Sequence, residues 1–317
     1  LTKDRCVLVS DGRYTTEIGE IVEDEVEPWI RPVGQEMALG IVDVLRALGV
    51  SRVGFEGHHL GYSQVVLLET EWDPGEAHPI PPRVERLRMR KDAQELAILR
   101  EAVALAEGAF LEVRARLTCE QTEKTVADAL DAEMRRRGAV GPSFPPIVAA
   151  GPHSALPHAR PRRDAKIREA EFLLVDWGAN LRAYQSDLTR MIVPGKVKDE
   201  FVRVFRAVMA AQTRAIEAIR PGVPAHAIHQ SAVQAIEESG FGEFFPHGTG
   251  HGIGLNIHEA PMFKPGESLT LEPGMVVTIE PGIYRPGWGG IRIEDDVLVT
   301  PEGFEVLSQL PRDLESC

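Results

Sequence analysis

EFLLVDWGANLRAYQSDLTR, residues 171–190, sets an apolar run against two aspartates. Phe172 to Val175 reads as a buried strand, and Asp176 closes it. Gly178-Ala179-Asn180 is expected to turn the chain, with Asp187 on the returning segment. A carboxylate directly after a buried strand is costly unless it is paired or bound to a metal. A hairpin brings the two aspartates together, and like charges that close repel unless a cation lies between them. Aspartates that only form or cap a turn explain the same stretch equally well at this point.

Two further segments add to the picture. In TIEPGIYRPGWGGIRIED, 278–295, Glu280 follows the apolar run Met275 to Ile279, and Pro281-Gly282 turns the chain. On the returning strand Ile291 and Ile293 point one way and Arg292 and Glu294 the other, so Glu280 and Glu294 can meet across a hairpin. An exposed Arg/Glu face is the plain alternative, weakened by the apolar run that Glu280 ends. In FPHGTGHGIGLNIHEAP, 245–261, His247, His251 and His258 stand among Gly248, Gly250, Gly252 and Gly254, which let the backbone approach a site closely. These glycines match neither the dinucleotide G-x-G-x-x-G spacing nor a P-loop, and His258-Glu259 is followed by no second histidine of a zinc helix. One histidine is usually structural; three so close among glycines are not usual. The four carboxylates and one imidazole form a hard, oxygen-rich set suited to a pair of manganese, cobalt or zinc ions. Bridging carboxylates would hold such ions roughly 3.5–4 Å apart, with a hydroxide nucleophile between them and a Lewis acid for the carbonyl.

Around these segments the periodicity is mixed. Leu96, Leu99, Val103, Ala106, Phe110, Val113 and Leu117 form one apolar stripe of a long helix, best read as core packing. Helices are expected from about Thr122 to Arg137, then at 199–219 and 224–239, with strand-like runs EFLLVDWG, MVVTIEPG and GIRIEDDVLVT between and after them. Helices beside antiparallel hairpins give an α+β class. Earlier, CVLVSDGRYTTEI reads as a strand, a turn at Asp11-Gly12 and a second short strand. Gln35–Leu48 reads as a helix ending at Gly49, and SRVGFEG as a buried strand. The proline-rich DPGEAHPIPPR, 73–83, breaks regular structure and places a boundary between a small α/β domain, 1–82, and the remainder, 83–317.

The chain of 317 residues is long enough for two domains, and its 43% hydrophobic and 26% charged composition is that of an ordinary globular protein. A net charge of −13 argues against nucleic acid or an anionic membrane as a partner. Cys6, Cys119 and Cys317 are too few and scattered for a disulfide framework, so reduced cytoplasmic thiols are expected. No apolar run approaches the roughly 20 residues of a spanning helix, and the start shows no signal-peptide core. Leu1 is not an initiator methionine and the first residues read as mid-strand, so a leading segment is expected to be missing.

The order Asp, Asp, His, Glu, Glu in DWGANLRAYQSDLTR, HGTGHGIGLNIHEAP, TIEPGIY and IRIED resembles the pita-bread metallopeptidases, over about 85–310. That family comprises methionine aminopeptidase, aminopeptidase P, prolidase and the metal-free creatinase. The resemblance implies Asp176 as a terminal metal ligand, Asp187 and Glu294 as bridging ligands, and His251 and Glu280 as terminal ligands of the second ion. It also implies Glu280 as the proton shuttle, His258 as a contact to the scissile carbonyl, and His158 in ALPHARP as a substrate histidine. His247 and Arg292 are similar to residues of the Xaa-Pro branch, and Thr189 and Thr278 are placed to orient ligands. Residues 1–80 resemble the latter part of a creatinase-type N-terminal domain without its first strand–helix block, a domain that usually makes dimer contacts. The expected activity is hydrolysis of Xaa-Pro bonds, by a prolidase acting on dipeptides or an aminopeptidase P acting on longer peptides. Methionine aminopeptidase and an inert binding homologue are the remaining alternatives. The expected companions are two divalent ions, manganese first and cobalt or zinc behind it, a small peptide with proline second, and a second copy of the chain. A prolidase must read a free carboxylate, and Arg13 in the SDGRY turn could supply the guanidinium fork; a plain surface arginine explains it as well.

Overall fold

In the computed structural model β1 (Cys6–Asp11) pairs in parallel with β2 (Val26–Arg31), in register from Cys6↔Val26 to Asp11↔Arg31. Parallel neighbours need a crossover rather than a tight hairpin. A helix, α1 (Thr15–Ile21), fills it where a second strand was expected. Asp11 decides the difference: its carboxylate accepts from the Arg13 amide and opens a 3-10 turn over Gly12–Tyr14, after which Ile18 is the helix's buried residue. The chain continues through α2 (Met37–Ala47), which stops short of Gly49 at φ +63°, into β3 (Arg52–Glu56), α3 (Tyr62–Glu71) and β4 (Glu76–Ile80). β3 contains no fully buried residue, contrary to the buried strand expected there: Val53 packs only half-buried against Val42, Leu45, Leu68 and Trp72. β4 itself lies inside the proline-rich stretch that was expected to be irregular. Pro79 is tolerated because a two-stranded sheet consists of edges, where a missing N–H faces no partner.

The structure describes residues 1–313 in full and the backbone of 315–316. Cys6 and Cys119 are free thiols, and the expected thiol at Cys317 lies outside the described residues. Two compact units divide the chain, 1–84 and 85–317, and α4 (Arg83–Arg88) is the segment that crosses the division in sequence.

The second unit holds two helix pairs. In the first are α5 (Ala93–Ala115), started by an Asp92–Glu95 capping box, and α6 (Glu123–Arg136), capped by Thr122 and ended before Gly138 at φ +107°. Its sheets begin with β5 (Gly141–Pro142), β6 (Ile147–Ala150), β7 (Leu173–Trp177), β8 (Ala179–Leu181), β9 (Tyr184–Gln185) and β10 (Leu188–Val193). The second pair is α7 (Asp199–Glu217) and α8 (Ala225–Glu238). There follow β11 (Gly250–Gly252), β12 (Glu259–Phe263), β13 (Val276–Ile279), β14 (Gly282–Arg285), β15 (Gly289–Arg292), β16 (Asp295–Val299), β17 (Phe304–Val306) and β18 (Glu315–Ser316). One sheet runs β18-β10-β7-β6, another β12-β11-β13-β16-β17, beside the pairs β14-β15 and the ribbon β5-β8-β9.

Strand alternation sorts the core into two sides. Leu173, Val175 and Trp177 of β7 pack with Phe110, Val126 and Leu130 of α5 and α6. Leu174 of β7 and Met191 of β10 pack instead with Val204, Val208 and Ile228 of α7 and α8, and with Val277 and Ile279 of β13. Asp176 and Thr189 share the parity of Leu174 and Met191, so they face that second side. The turn of the first hairpin is not Gly-Ala-Asn, as expected, but Arg182-Ala183, both at positive φ (50° and 71°) between β8 and β9. Likewise the run GIRIEDDVLVT, 290–300, expected as one strand, is two, with Glu294 in the break between β15 and β16.

Candidate active site

The carboxylates sit where strands end or break. Asp176 is opposite Thr189 on β7·β10, Asp187 immediately precedes β10, Glu280 follows β13, and Glu294 precedes β16. Within each sheet the ladders hold these residues: Val276↔Leu298 to Ile279↔Asp295 brings the ends of β13 and β16 together, and Gly282↔Arg292 continues the pairing beyond the break. A bridge Thr189↔Glu294 then joins the two sheets. His251 comes in on β11, paired beside β13 through Gly252↔Val277.

Ligand atoms of Asp187, His251 and Glu294 all lie within 4.8 Å of one another, and all three residues are buried. Glu280 Oε1 stands 3.4 Å and Asp187 Oδ2 3.8 Å from His251 Nε2. Asp176 joins them in lining one cavity of about 500 Å³, together with His158, His247, His258 and Arg292. Burial, followed by repulsion from neighbouring carboxylates, pushes the Asp187 and Glu294 carboxyls well above the ordinary range. Burial also pushes Asp176 up, against the pull of the Arg292 guanidinium.

These residues fit a divalent cation centre. Asp176 spends Oδ2 on Arg292, while its buried Oδ1 has no partner among the described residues. His251 directs Nδ1 to the Gly252 carbonyl at 3.0 Å, which leaves Nε2 as the lone-pair nitrogen toward Asp187 and Glu280. Burial holds its imidazole below the usual value, hence neutral and able to ligate. Hydrogen bonds behind the cluster fix the carboxylates. Thr189 Oγ1 donates to Glu294 Oε2 at 2.6 Å, Thr278 Oγ1 to Glu280 Oε1 at 3.3 Å, and the Asp187 amide to Asp296 Oδ2 at 3.0 Å.

On the substrate side, His258 is exposed, with its ring edge-on to that of His251 at 4.4 Å between centroids. His158 is exposed as well. His247 gives Nδ1 to the Gly248 carbonyl at 2.7 Å and accepts from the Tyr284 hydroxyl at 3.0 Å. That hydroxyl in turn accepts from Arg292 Nη1 at 2.6 Å, and burial raises the Tyr284 phenol to about 12. Arg13 lies in the first unit, its guanidinium forked onto Asp11 and its side chain 77% exposed. Sequence reasoning missed Tyr284 and Asp296. Tyr284 lies inside TIEPGIY, but a lone tyrosine carries no spacing signal; Asp296 left one, as the last of three consecutive acids between apolar residues.

A buried carboxylate–imidazole cluster at the joined ends of two sheets, opening on a cavity lined by histidines, defines a metal-dependent hydrolase. The description "metallopeptidase family M24" matches residues 97–301, and the chain belongs to that family. It is 37% identical over 262 residues to an Xaa-Pro dipeptidase of Pyrococcus furiosus, covering 83% of this chain and 75% of that one. Its structure is similar to that of an Xaa-Pro dipeptidase from Bacillus anthracis, with a TM-score of 0.93 at 36% identity over 100% of this chain and 88% of that one. It is also similar to an X-Pro aminopeptidase from Thermotoga maritima, with a TM-score of 0.90 at 32% identity over 100% of this chain and 89% of that one. The fold is thus the α+β pita-bread fold of this family.

Proposed function

We propose that the protein hydrolyses the Xaa-Pro bond of dipeptides, as a prolidase with two divalent ions. The observation that carries this is the convergence of Asp187, His251 and Glu294 in one cavity with Asp176, Glu280 and three further histidines. In this reading Asp176, Asp187, His251, Glu280 and Glu294 would hold the ions, with Asp187 and Glu294 as the ligands the two ions would share. The ions, manganese for preference, supply Lewis acidity to the peptide carbonyl and a nucleophile usable at neutral pH. The leaving nitrogen of an Xaa-Pro bond carries no hydrogen, so it must be protonated to depart. Glu280 is the carboxylate for that task, since its side chain is 19% exposed, against 8% for Asp187 and 9% for Asp176, and it faces the cavity. His258 is placed to donate to the carbonyl oxygen. His158 and His247 orient the peptide, and Arg292 holds Asp176 while facing the same cavity.

Residues 1–82 are read as part of a creatinase-type N-terminal domain ahead of the catalytic domain 83–317. A homodimer and a cytoplasmic location complete the proposal. Among the described residues no helix is long and apolar enough to cross a membrane. The similarity to an X-Pro aminopeptidase supports a second reading, aminopeptidase P acting on longer peptides. Rates on Ala-Pro and Ala-Pro-Ala with added manganese separate the two, and a clear preference for the tripeptide rejects the dipeptidase. Arg13→Ala then tests whether this arginine reads the dipeptide carboxylate: relaxed selectivity is expected, and an unchanged profile removes it from the site.

A further inference from the structure

His158 is exposed, lines the cavity and makes no hydrogen bond of its own among the described residues. Its position is therefore inherited from the backbone that carries it, the segment from Ala150, at the end of β6, to Arg162. One side chain outside the cavity ties both ends of that segment. Glu123, the first residue of α6, is fully buried. The Ala150 amide donates to its Oε1 at 2.7 Å, and the Arg162 amide donates to its Oε2 at 2.8 Å. His153, inside the segment, sets Nδ1 2.9 Å from both oxygens. Main-chain bonds from Glu123 N to Ala165 O (3.1 Å) and Lys124 N to Arg162 O (3.0 Å) draw the far end onto the start of α6. The middle is held separately, where the Ser154 hydroxyl accepts from the Gly290 amide at 2.8 Å. In this sealed place no water can replace the carboxylate, so without it the two amides would be left unsatisfied.

We propose that Glu123 is a positioning residue for His158, setting the imidazole over the cavity by clasping the two ends of segment 150–162. The inference rests on the proposed function only in giving His158 a substrate to orient. A displacement of about an ångström in an orienting group can cost up to a hundredfold in rate. Glu123→Gln keeps the shape but replaces one acceptor oxygen with a donor that cannot take the amide bond. The manganese-loaded variant, with metal content and melting temperature measured beside the wild type, is expected to lose at least about tenfold in kcat/KM on Ala-Pro. In a His158→Ala background the same substitution is expected to cost less than about twofold, because the group it acts through is already gone. Losses that multiply overturn the proposal. If Glu123→Gln does not fold, His153→Ala removes one of the carboxylate's three partners. It is expected to give a smaller loss, equally silent without His158, and an equal loss in both backgrounds overturns the proposal. Two readouts need no turnover: hydrogen exchange of the 150–162 amides rises in Glu123→Gln, and the His158 ring resonance, assigned with His158→Ala, shifts or broadens. If both stay unchanged, Glu123 does not position His158. If both change but the wild type cleaves neither Ala-Pro nor Ala-Pro-Ala, it is the proposed activity that falls and not the clasp.

Discussion

Arg292 and Asp176 form an ion pair with both side chains nearly sealed from solvent, 4% and 9% exposed. Breaking such a pair from one side leaves a buried charge alone, a loss of roughly 3–5 kcal/mol. Arg292 also donates Nε to Thr189 Oγ1 at 3.1 Å, and Thr189 bonds Glu294, so its removal loosens two carboxylates at once. Arg292→Ala is expected to lower the unfolding free energy by about 3 kcal/mol and to reduce bound metal at neutral pH. Arg292→Lys recovers little, because an ammonium cannot serve Asp176, Thr189 and Tyr284 as the guanidinium fork does. Denaturant unfolding and metal analysis of the purified variants check both, and a fully metallated, equally stable Arg292→Lys contradicts the account.

Metal removal should be felt as stability. Burial and mutual repulsion oppose the ionised forms of Asp176, Asp187 and Glu294, and an ion that binds only the folded chain offsets that cost. At a hundred times the dissociation constant, such an ion adds about 2.7 kcal/mol. Chelation is therefore expected to lower the melting temperature, and manganese to restore it in a concentration-dependent way. Asp187→Asn removes a charge from the cluster, so it should stabilise the metal-free protein while abolishing the manganese increment. Calorimetry with and without chelator decides; a variant that still gains stability from manganese would take Asp187 out of the ligand set.

One pH dependence from a group outside the candidate ligand set is expected from His229. Its ring on α8 accepts from or donates to Thr249 Oγ1 at 2.9 Å, and burial holds its pKa below the ordinary 6.5. As pH falls past 6.5 the ring takes up a proton in the unfolded chain while the folded ring stays neutral. The unfolded state then binds more protons, so stability declines as pH falls through this window. His229→Gln keeps a hydrogen-bonding group for Thr249 and removes the titration. Its melting temperature is expected to fall less than that of the wild type between pH 6.5 and about 5. Parallel curves for the two proteins refute the assignment.

Asp176 and Glu280 stood out as candidate ligands because each ends an apolar run that has no solvent-facing excuse for a charge. The long helices were legible through their stripes and their Gly138 and Gly240 stops. Three kinds of feature were not. TTEIGEI forms α1 although threonine and isoleucine favour strands, since the parallel pairing of β1 and β2 demands a crossover. The Arg182-Ala183 turn adopts positive φ without the glycine or asparagine that marks such turns, held by the flanking pairs Asn180↔Gln185 and Leu181↔Tyr184. Glu123 reads as an ordinary first-turn acid of a helix, because its partners Ala150, His153 and Arg162 reach it only through the tertiary fold.

The glycines around the histidines were read as permission for close approach, and Gly250 makes that concrete. It sits at φ +156°, a conformation that side chains rarely adopt, and a Cβ there would lie 2.0 Å from the Thr278 carbonyl oxygen. That contact is with backbone on β13, so no side-chain rotation relieves it. What it would push apart is the join on which the cluster depends: the His251 amide donates to Thr278 Oγ1 at 3.1 Å, and the Glu280 amide to the Thr249 carbonyl at 2.8 Å. Gly250→Ala must therefore separate β11 from β13 and carry His251 away from Glu280 and Asp187. The expected cost is at least about 3 kcal/mol of stability, with binding of metal lost even in the fraction that folds. Gly303, in contrast, has nothing within 4 Å of a built Cβ and no positive φ, so Gly303→Ala serves as the control with nearly wild-type stability and metal content. Metal titration of both variants beside unfolding curves distinguishes the cases, and a Gly250→Ala protein that binds manganese normally would mean that the two strands are not what holds His251 in place.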